Sequence, residues 1–187
     1  MTSEIKRTTN QYASEYGFFV GLIWAAMFFC YAEGISSSNM ALVTACLIPA
    51  LLSFIIPPYL SLRINKKLYD IGERLTYGRA YLFSLTMFIF ASILSGATSY
   101  AYLTFIDKGQ MSYKMMELLN DPNVSAAYRQ MGMMDQYKEA MKAFEQLTPW
   151  DICLSLFSNG IMIGIIASVF LALIASYDLA KIKDNLR

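Results

Sequence analysis

The stretch "ICLSLFSNGIMIGIIASVFLALIASY", residues 152–177, contains no charged residue and decides the fold class. An α-helix rises about 1.5 Å per residue and needs about 20 apolar residues to cross a hydrocarbon core about 30 Å thick. This stretch is longer than that minimum. It therefore predicts a membrane-spanning helix, which we place at about residues 150–176.

Three further uncharged stretches, residues 16–32, 34–62 and 80–106, predict helices at about residues 17–35, 40–62 and 80–106. Only 16% of the 187 residues are charged, against about a quarter in a soluble domain. Membrane β-strands would alternate between apolar and polar residues, and these stretches are apolar on every side. The predicted fold is therefore all-α: an integral membrane four-helix bundle.

Basic residues between the helices predict the topology, because Lys and Arg accumulate in cytoplasmic loops. The connection at residues 63–79 has five of them, and both ends of the chain are also basic, whereas residues 36–39 have none. The basic residues counted are Lys6, Arg7, Arg63, Lys66, Lys67, Arg74, Arg79, Lys181, Lys183 and Arg187. We expect both termini and the 63–79 loop to be cytoplasmic. The basic residues of this loop are also expected to attract anionic lipid of the bilayer.

The third connection, residues 107–149, is predicted to be an external segment of short helices. "DP" at residues 121–122 and Gly132 punctuate it, and in "TPWD" Thr148 and Asp151 can form a capping box for the last helix. An apolar stripe recurs at helical spacing in the segment: Met134, Tyr137, Met141 and Phe144. Adaptable methionines can form a partner-binding groove, but local burial of the stripe is the preferred interpretation.

Small residues recur every fourth position in the last helix, as Gly160, Gly164, Ser168 and Ala172, and in the first helix at Gly17 and Gly21. Close packing through small residues joins helices in membranes. The pattern predicts a helix-packing interface. Packing within one bundle is the preferred interpretation, and a seam with a second copy or a partner protein is the alternative.

Histidine and the motifs of several common enzyme chemistries are missing from this sequence. It has no histidine, no Cys-x-x-Cys, no phosphate-binding glycine loop and no Gly-x-Ser-x-Gly. We therefore predict no catalytic, cofactor-binding or metal-binding residue, and expect a protein that is not an enzyme. The cysteines Cys30, Cys46 and Cys153 are interpreted as packing residues. A formal net charge of +1 gives no support for nucleic-acid binding.

Two polar residues within the apolar stretches are candidate functional residues. Glu33 is the one acid between residues 16 and 62, and an intramembrane carboxylate is a functional candidate by default. Its place near the end of the first helix favours an interfacial anchor. Asn159 is expected to be the most buried polar side chain, with a hydrogen bond to another helix.

The segment Leu75–Met111 resembles a known family. Its Tyr77–Gly78–Arg79 lead, its small-residue-rich span and the motif Y-x-x-F-I-D at residues 102–107 are similar to those of the bacterial membrane proteins called domain of unknown function 4199. Glu33 after the first helix and the polar segment before the last also match. Where the family has a proline after this motif, the chain has Lys108. The resemblance implies a four-helix protein of the bacterial inner membrane and carries over no catalytic residue.

The leading hypothesis is a noncatalytic accessory or scaffold subunit of the bacterial cytoplasmic membrane, acting through helix–helix contacts with a membrane protein or a second copy. The alternative is a small transporter or channel component that works as an oligomer, suggested by Pro49 and Asn159. A membrane enzyme is the third hypothesis. It would require Glu33, Asp107 and Asp151 to converge.

Overall fold

Four long helices form a bundle in the computed structural model, which describes residues 3–70, 72–73 and 75–176. They are long and apolar enough to cross a membrane, and they cover Thr9–Ser36, Met40–Asp70, Tyr77–Asp107 and Pro149–Ala175. The described residues contain no strand, so the predicted all-α fold with four such helices is confirmed. Of the basic residues counted for topology, Arg74, Lys181, Lys183 and Arg187 lie outside the described residues.

The first helix, α1 (Ser3–Ser36), begins well before the position near residue 17 that the sequence predicts. The prediction placed the start of the helix at the boundary between the charged lead and the uncharged stretch, which is where a bilayer would begin. The polar lead nevertheless packs on the core, because Ala13 is fully buried and Tyr12 contacts the same cluster of buried residues. Tertiary packing of the lead carries the helix beyond the apolar stretch.

The second span divides into α2 (Met40–Ala45) and α3 (Leu47–Asp70), with the interruption at Cys46. The side chain of Asn39 caps α2 by accepting a hydrogen bond from the Ala41 amide at 3.1 Å. Pro49 follows the interruption in the first turn of α3, where a missing amide hydrogen removes no intrahelical bond.

The paired prolines Pro57 and Pro58 lie inside α3, which continues to Asp70. Pro57 is fully buried, so packing in the bundle holds a helix that the local sequence disfavours. The loop predicted at 63–79 is therefore wrong at both ends, since residues 63–70 are helical and the next helix begins at Tyr77.

The third span is α4 (Tyr77–Ala101), extended by a π-helical segment (Tyr102–Asp107). Three short helices follow: α5 (Gln110–Leu119), α6 (Pro122–Gln130) and α7 (Met134–Glu145). The last span is α8 (Pro149–Ala175), whose predicted capping box between Thr148 and Asp151 is confirmed. We call the end of the bundle that carries α5–α7 the insertion end, and the opposite end, with residues 71–76, the loop end.

The central helix of the bundle is α4, which packs against both α1 and α8. Of an 18-residue apolar stretch in the α4 span, 50% of the residues are buried, against 6% in the corresponding stretch of the α2–α3 span. α3 contacts α1 and α8, and its buried residues all lie towards the loop end: Pro57, Leu60, Ser61, Ile64, Asn65 and Leu68. The bundle thus has four closely packed helices at the loop end, and the part of α2–α3 before Pro57 is largely uncovered.

The small-residue ridge of α8 faces α4 of the same chain. All four of its members, Gly160, Gly164, Ser168 and Ala172, are buried. A Cβ atom added at Gly164 would lie 2.6 Å from Cβ of Phe88, and one at Gly160 would collide with the hydroxyl of Ser92. The ridge packs within one bundle, and it offers no free surface for a seam between chains.

The glycines of α1 serve the same purpose on the other side of α4. A Cβ atom at Gly17 would lie 2.5 Å from the carbonyl oxygen of Met87, and one at Gly21 would lie 3.0 Å from Cβ of Leu94. The absence of these side chains lets the backbones approach, and dispersion contacts replace the hydrophobic driving force that lipid does not supply.

Gly164→Ala should therefore destabilise the fold, because the new methyl group cannot fit beside Phe88 without a backbone or rotamer shift. Such overpacking costs about 1–3 kcal/mol. The thermal midpoint of the purified protein in mild detergent, followed by circular dichroism, is expected to fall. Gly78→Ala is the matched control, since a Cβ atom there has nothing within 4 Å. Equal midpoints for the two variants would contradict this account of the ridge.

Candidate functional site

The structure gathers four polar side chains at the insertion end, and we call them the carboxylate cluster: Glu33 and Ser36 of α1, and Tyr102 and Asp107 of the π-helical segment. Glu33 and Ser36 are three residues apart in the last turn of α1 and therefore lie on one side of that helix. The hydroxyl of Tyr102 donates to Oε2 of Glu33 at 2.8 Å. The hydroxyl of Ser36 donates to Oδ1 of Asp107 at 2.7 Å.

The π-helical segment explains how Tyr102 and Asp107 both reach α1. Its hydrogen bonds join residues five apart, which places Tyr102 and Asp107 on the same side of the helix, whereas an α-helix would rotate them well apart. The amide of Lys108 continues this pattern by donating to the carbonyl of Leu103 at 3.2 Å. π-Helical turns are rare and frequently occur at functional sites.

The turn after the segment contains the departure from the family pattern noted above. Lys108 has a φ of 49° and Gly109 a φ of 89°, both in the left-handed region. A proline ring holds φ near −65°, so the observed backbone at position 108 is closed to proline. This chain therefore makes its turn differently from a chain with proline at this position.

Asp107 is buried, with only 4% of its surface exposed, and its carboxylate is surrounded by donors. Besides the Ser36 hydroxyl, it accepts hydrogen bonds from the amides of Gly109 at 3.1 Å and Met111 at 2.8 Å. Asp107 thus joins the end of α1 to the start of α5 and fixes how the insertion leaves the bundle.

Tyr102 is held on its apolar sides by two phenylalanines of α1. Its ring meets Phe28 at 6.0 Å and Phe29 at 5.3 Å between centroids, both edge to face. Only 5% of the tyrosine is exposed. Glu33 is half-buried, and among the described residues it forms no ion pair. The cluster therefore presents a carboxylate of uncompensated charge beside a fixed tyrosine hydroxyl.

The convergence that the enzyme hypothesis requires is met by only two of its three carboxylates. Glu33 and Asp107 lie in the carboxylate cluster, each accepting a hydrogen bond from its own partner, Tyr102 and Ser36. Asp151 is exposed, and its Oδ2 accepts from the Thr148 hydroxyl at 2.6 Å and from the Thr148 amide at 2.9 Å, so it serves as the cap of α8. In the part of the chain that the structure describes, no group of three or more His, Cys, Asp or Glu residues could hold a metal ion.

The placement of Asn159 differs from the prediction. It is exposed rather than buried, and its amide nitrogen contacts the hydroxyl of Ser155 on the same helix at 3.3 Å. Asn159 is five residues from Gly164, which rotates it about 140° around the helix axis, away from the ridge. Ser155 and Ser158 are also exposed. We call Ser155, Ser158 and Asn159 the polar patch of α8.

The apolar stripe of α7 is covered locally where its side chains are described. Tyr137 is buried, and its ring lies 4.7 Å from the ring of Tyr128 in α6. Met134 is half-buried, and the side chains of Met141 and Phe144 lie outside the described part of the structure. At Tyr137 the stripe is thus closed by a neighbouring helix and does not form an open groove.

The three cysteines are free thiols of intermediate burial. Cys153 packs against α4, since its Sγ atom would lie 3.4 Å from a Cβ atom added at Gly96. This contact agrees with the interpretation of Cys153 as a packing residue.

Sequence reasoning missed Tyr102 and Ser36 as partners of the two acids. The motif Y-x-x-F-I-D contains Tyr102 and Asp107, and the regular spacing of an α-helix gives no reason to place them on one side. Neither proline nor glycine marks the π-helical segment in the sequence. The one available signal was that Glu33, an isolated acid, and Tyr102 lie near the ends of two predicted helices on the same side of the membrane.

Tyr102→Phe should lower the stability of the fold, because the half-buried Glu33 carboxylate loses its donor. Loss of a hydrogen bond to a charged group costs about 1.5–3 kcal/mol. The expected result is a fall in the thermal midpoint in mild detergent. Tyr100→Phe is the matched control, because Tyr100 is exposed and packs edge to face on Trp150. A midpoint that stays at the wild-type value in both variants would refute the role of the hydroxyl.

A family model described as protein of unknown function (DUF4199) matches residues 15–176, which include the carboxylate cluster and, apart from the start of α1, all four long helices. The chain therefore belongs to this family. No curated protein and no solved structure matches it.

Proposed function

We propose that this member of the DUF4199 family is a noncatalytic accessory subunit of the bacterial cytoplasmic membrane, and that it binds another membrane helix through the polar patch of α8. The observation that carries the proposal is the exposure of Asn159 within an apolar helix. The small-residue ridge, which first suggested assembly, is occupied by α4 and no longer supports it.

The depth of Asn159 makes its exposure costly in a bilayer. It lies ten residues into α8, or about 15 Å along a helix of about 40 Å, and so reaches the hydrocarbon region. An amide has two donor hydrogens and an acceptor oxygen, and the contact with Ser155 uses one of them. Polar groups without partners are expensive in hydrocarbon, and membrane helices satisfy them across helix–helix interfaces.

The position of the patch on α8 also fits an interface. Ser155 is nine residues from Gly164 and points about 180° away from the ridge, which packs inside the bundle. A second helix could therefore approach the patch without disturbing the packing on α4. The matching partner is a membrane helix that presents a hydrogen-bonding side chain, on another protein or on a second copy of this chain.

The proposed orientation places the loop end in the cytoplasm, with both termini on that side. It is supported by exposed basic residues near the end of α3, Arg63 and Lys66. Lys67 lies beside them, with its ammonium group 4.0 Å from the centroid of the Tyr12 ring. In this orientation the exposed cations meet the headgroups of the inner leaflet, where anionic lipid attracts them.

The noncatalytic role rests on the chemistry of the whole chain. Histidine is absent, and of the three acids that could have formed a site, Asp151 is a helix cap and Asp107 is enclosed by its donors. Glu33 remains as the one acid of the three that is half-buried with an uncompensated charge. A single such carboxylate suits recognition better than general acid–base catalysis, which needs a second positioned group.

Asn159→Leu should weaken assembly while leaving the bundle intact, because leucine has a similar size and removes the hydrogen-bonding group. Interhelical hydrogen bonds contribute about 0.6–2 kcal/mol in membranes, so association should fall about threefold to thirtyfold. Native mass spectrometry from mild detergent measures the fraction of assembled protein. Ile163→Leu, on the exposed part of the same helix, is the control. A wild-type protein that is strictly monomeric, with no other protein bound, would sink the proposal.

A second candidate function, a transporter or channel component, is favoured by four of the six buried hydroxyls that have no hydrogen-bond partner within the described residues. They belong to four different helices: Tyr16, Ser61, Ser84 and Ser168. The registers of Gly164 with Phe88 and of Gly160 with Ser92 place Ser168 opposite Ser84 in the α4–α8 contact. Buried hydroxyls are normally satisfied, and ordered water would satisfy these and provide the start of a polar path.

Ser84→Ala tests whether this interior is hydrated. If water bonds the hydroxyl, its loss should lower the thermal midpoint, by the equivalent of about 1 kcal/mol. Ser92→Ala is the matched control on the same helix, because the Ser92 hydroxyl already donates to the Phe88 carbonyl at 2.8 Å. A higher midpoint for Ser84→Ala would show a dry interior and remove the support for transport.

A further inference from the structure

An apolar groove lies next to the carboxylate cluster, between α1 and the third span. Its volume is about 340 Å³, and it is lined by residues from Leu22 to Cys30 on α1 and by Thr98 and Tyr102 opposite them. This volume is at the lower end of the range for pockets that hold small ligands, about 300–1,000 Å³. The groove is distinct from the polar patch of α8, so the inference below does not depend on the proposed function.

The groove has the direction and the opening that a lipid chain requires. From Leu22 to Cys30 its wall extends about 12 Å along α1, parallel to the axis of a helix that is long enough to cross a membrane. Leu22, Ala26 and Phe29 on its wall are exposed. An alkyl chain could therefore enter sideways from the bilayer and lie along the helix.

One end of the groove is polar and carries negative charge. Tyr102 closes the apolar wall, and its hydroxyl donates to Glu33, which lies one helical turn beyond Cys30. The contact with Tyr102 uses Oε2 of Glu33, and among the described residues Oε1 has no partner. Asp107, the second acid of the cluster, adds to the negative potential around the tyrosine. A headgroup at this end would meet a carboxylate without a paired cation.

We propose that this groove binds a phospholipid with an ammonium headgroup, phosphatidylethanolamine, with one acyl chain along α1 and the ammonium group on Glu33. The charges decide between headgroups. An ammonium group pairs with the free carboxylate oxygen, whereas a glycerol headgroup brings the phosphate charge to Glu33 with no cation between them. The apolar wall supplies the affinity for the chain, and Glu33 supplies the selectivity for the headgroup.

Native mass spectrometry of the full chain tests the proposal, with equimolar phosphatidylethanolamine and phosphatidylglycerol of identical acyl chains added to the detergent. Wild type should retain phosphatidylethanolamine about two- to fivefold better, the range that a partly exposed ion pair supplies. Ala26→Trp should lose most of the retained lipid because the indole fills the groove. Ala97→Trp is its control, an exposed alanine on α4 outside the groove.

Glu33→Gln should keep the total retained lipid and lose the preference for phosphatidylethanolamine, since glutamine still accepts a hydrogen bond from Tyr102 but carries no charge. Glu117→Gln is the control, because this exposed acid pairs with Lys114 at 2.8 Å on α5. Equal retention of the two lipids by wild type would overturn the headgroup assignment. Equal losses in Ala26→Trp and Ala97→Trp would overturn the groove itself.

Discussion

The close contact of α4 with both α1 and α8 is the constraint on which the rest of the structure depends. Lipid gives helices no hydrophobic reason to associate, so the bundle relies on packing at short range. Gly17 and Gly21 allow it on one side of α4, and Gly160 and Gly164 on the other. These glycines already pack against α4 of the same chain, so any contact with another protein has to use a different face. On α8 that face carries polar residues.

The same central helix organises the insertion end. Where α4 becomes π-helical, Tyr102 and Asp107 reach the last turn of α1 and bind Glu33 and Ser36. Asp107 also holds the first turn of α5, so one buried carboxylate connects the bundle to the three short helices outside it. This arrangement leaves Glu33 as a charge beside an apolar groove, which is why the cluster fits recognition of a lipid headgroup better than catalysis.

Much of the fold could be predicted from elementary patterns, because uncharged stretches longer than a bilayer thickness leave few alternatives to helices. The capping box of Thr148 and Asp151 was equally local and was predicted correctly. The long start of α1 and the passage of α3 through Pro57 depend on tertiary packing, which local sequence does not contain. The same holds for the pairing of Glu33 with Tyr102, which needs an unmarked π-helical turn.

The error at Asn159 was avoidable from the sequence. Its angle to the ridge follows from helical spacing alone, which places it away from the packed side.

The measurement that tests the central claim most directly uses a photo-crosslinking residue at position 159, activated in native membranes. The account predicts one discrete adduct with a membrane protein or a second copy. The same residue at position 19, exposed on α1 at the other side of α4, should give lipid adducts alone. Lipid adducts alone at position 159 would contradict an accessory role through this face.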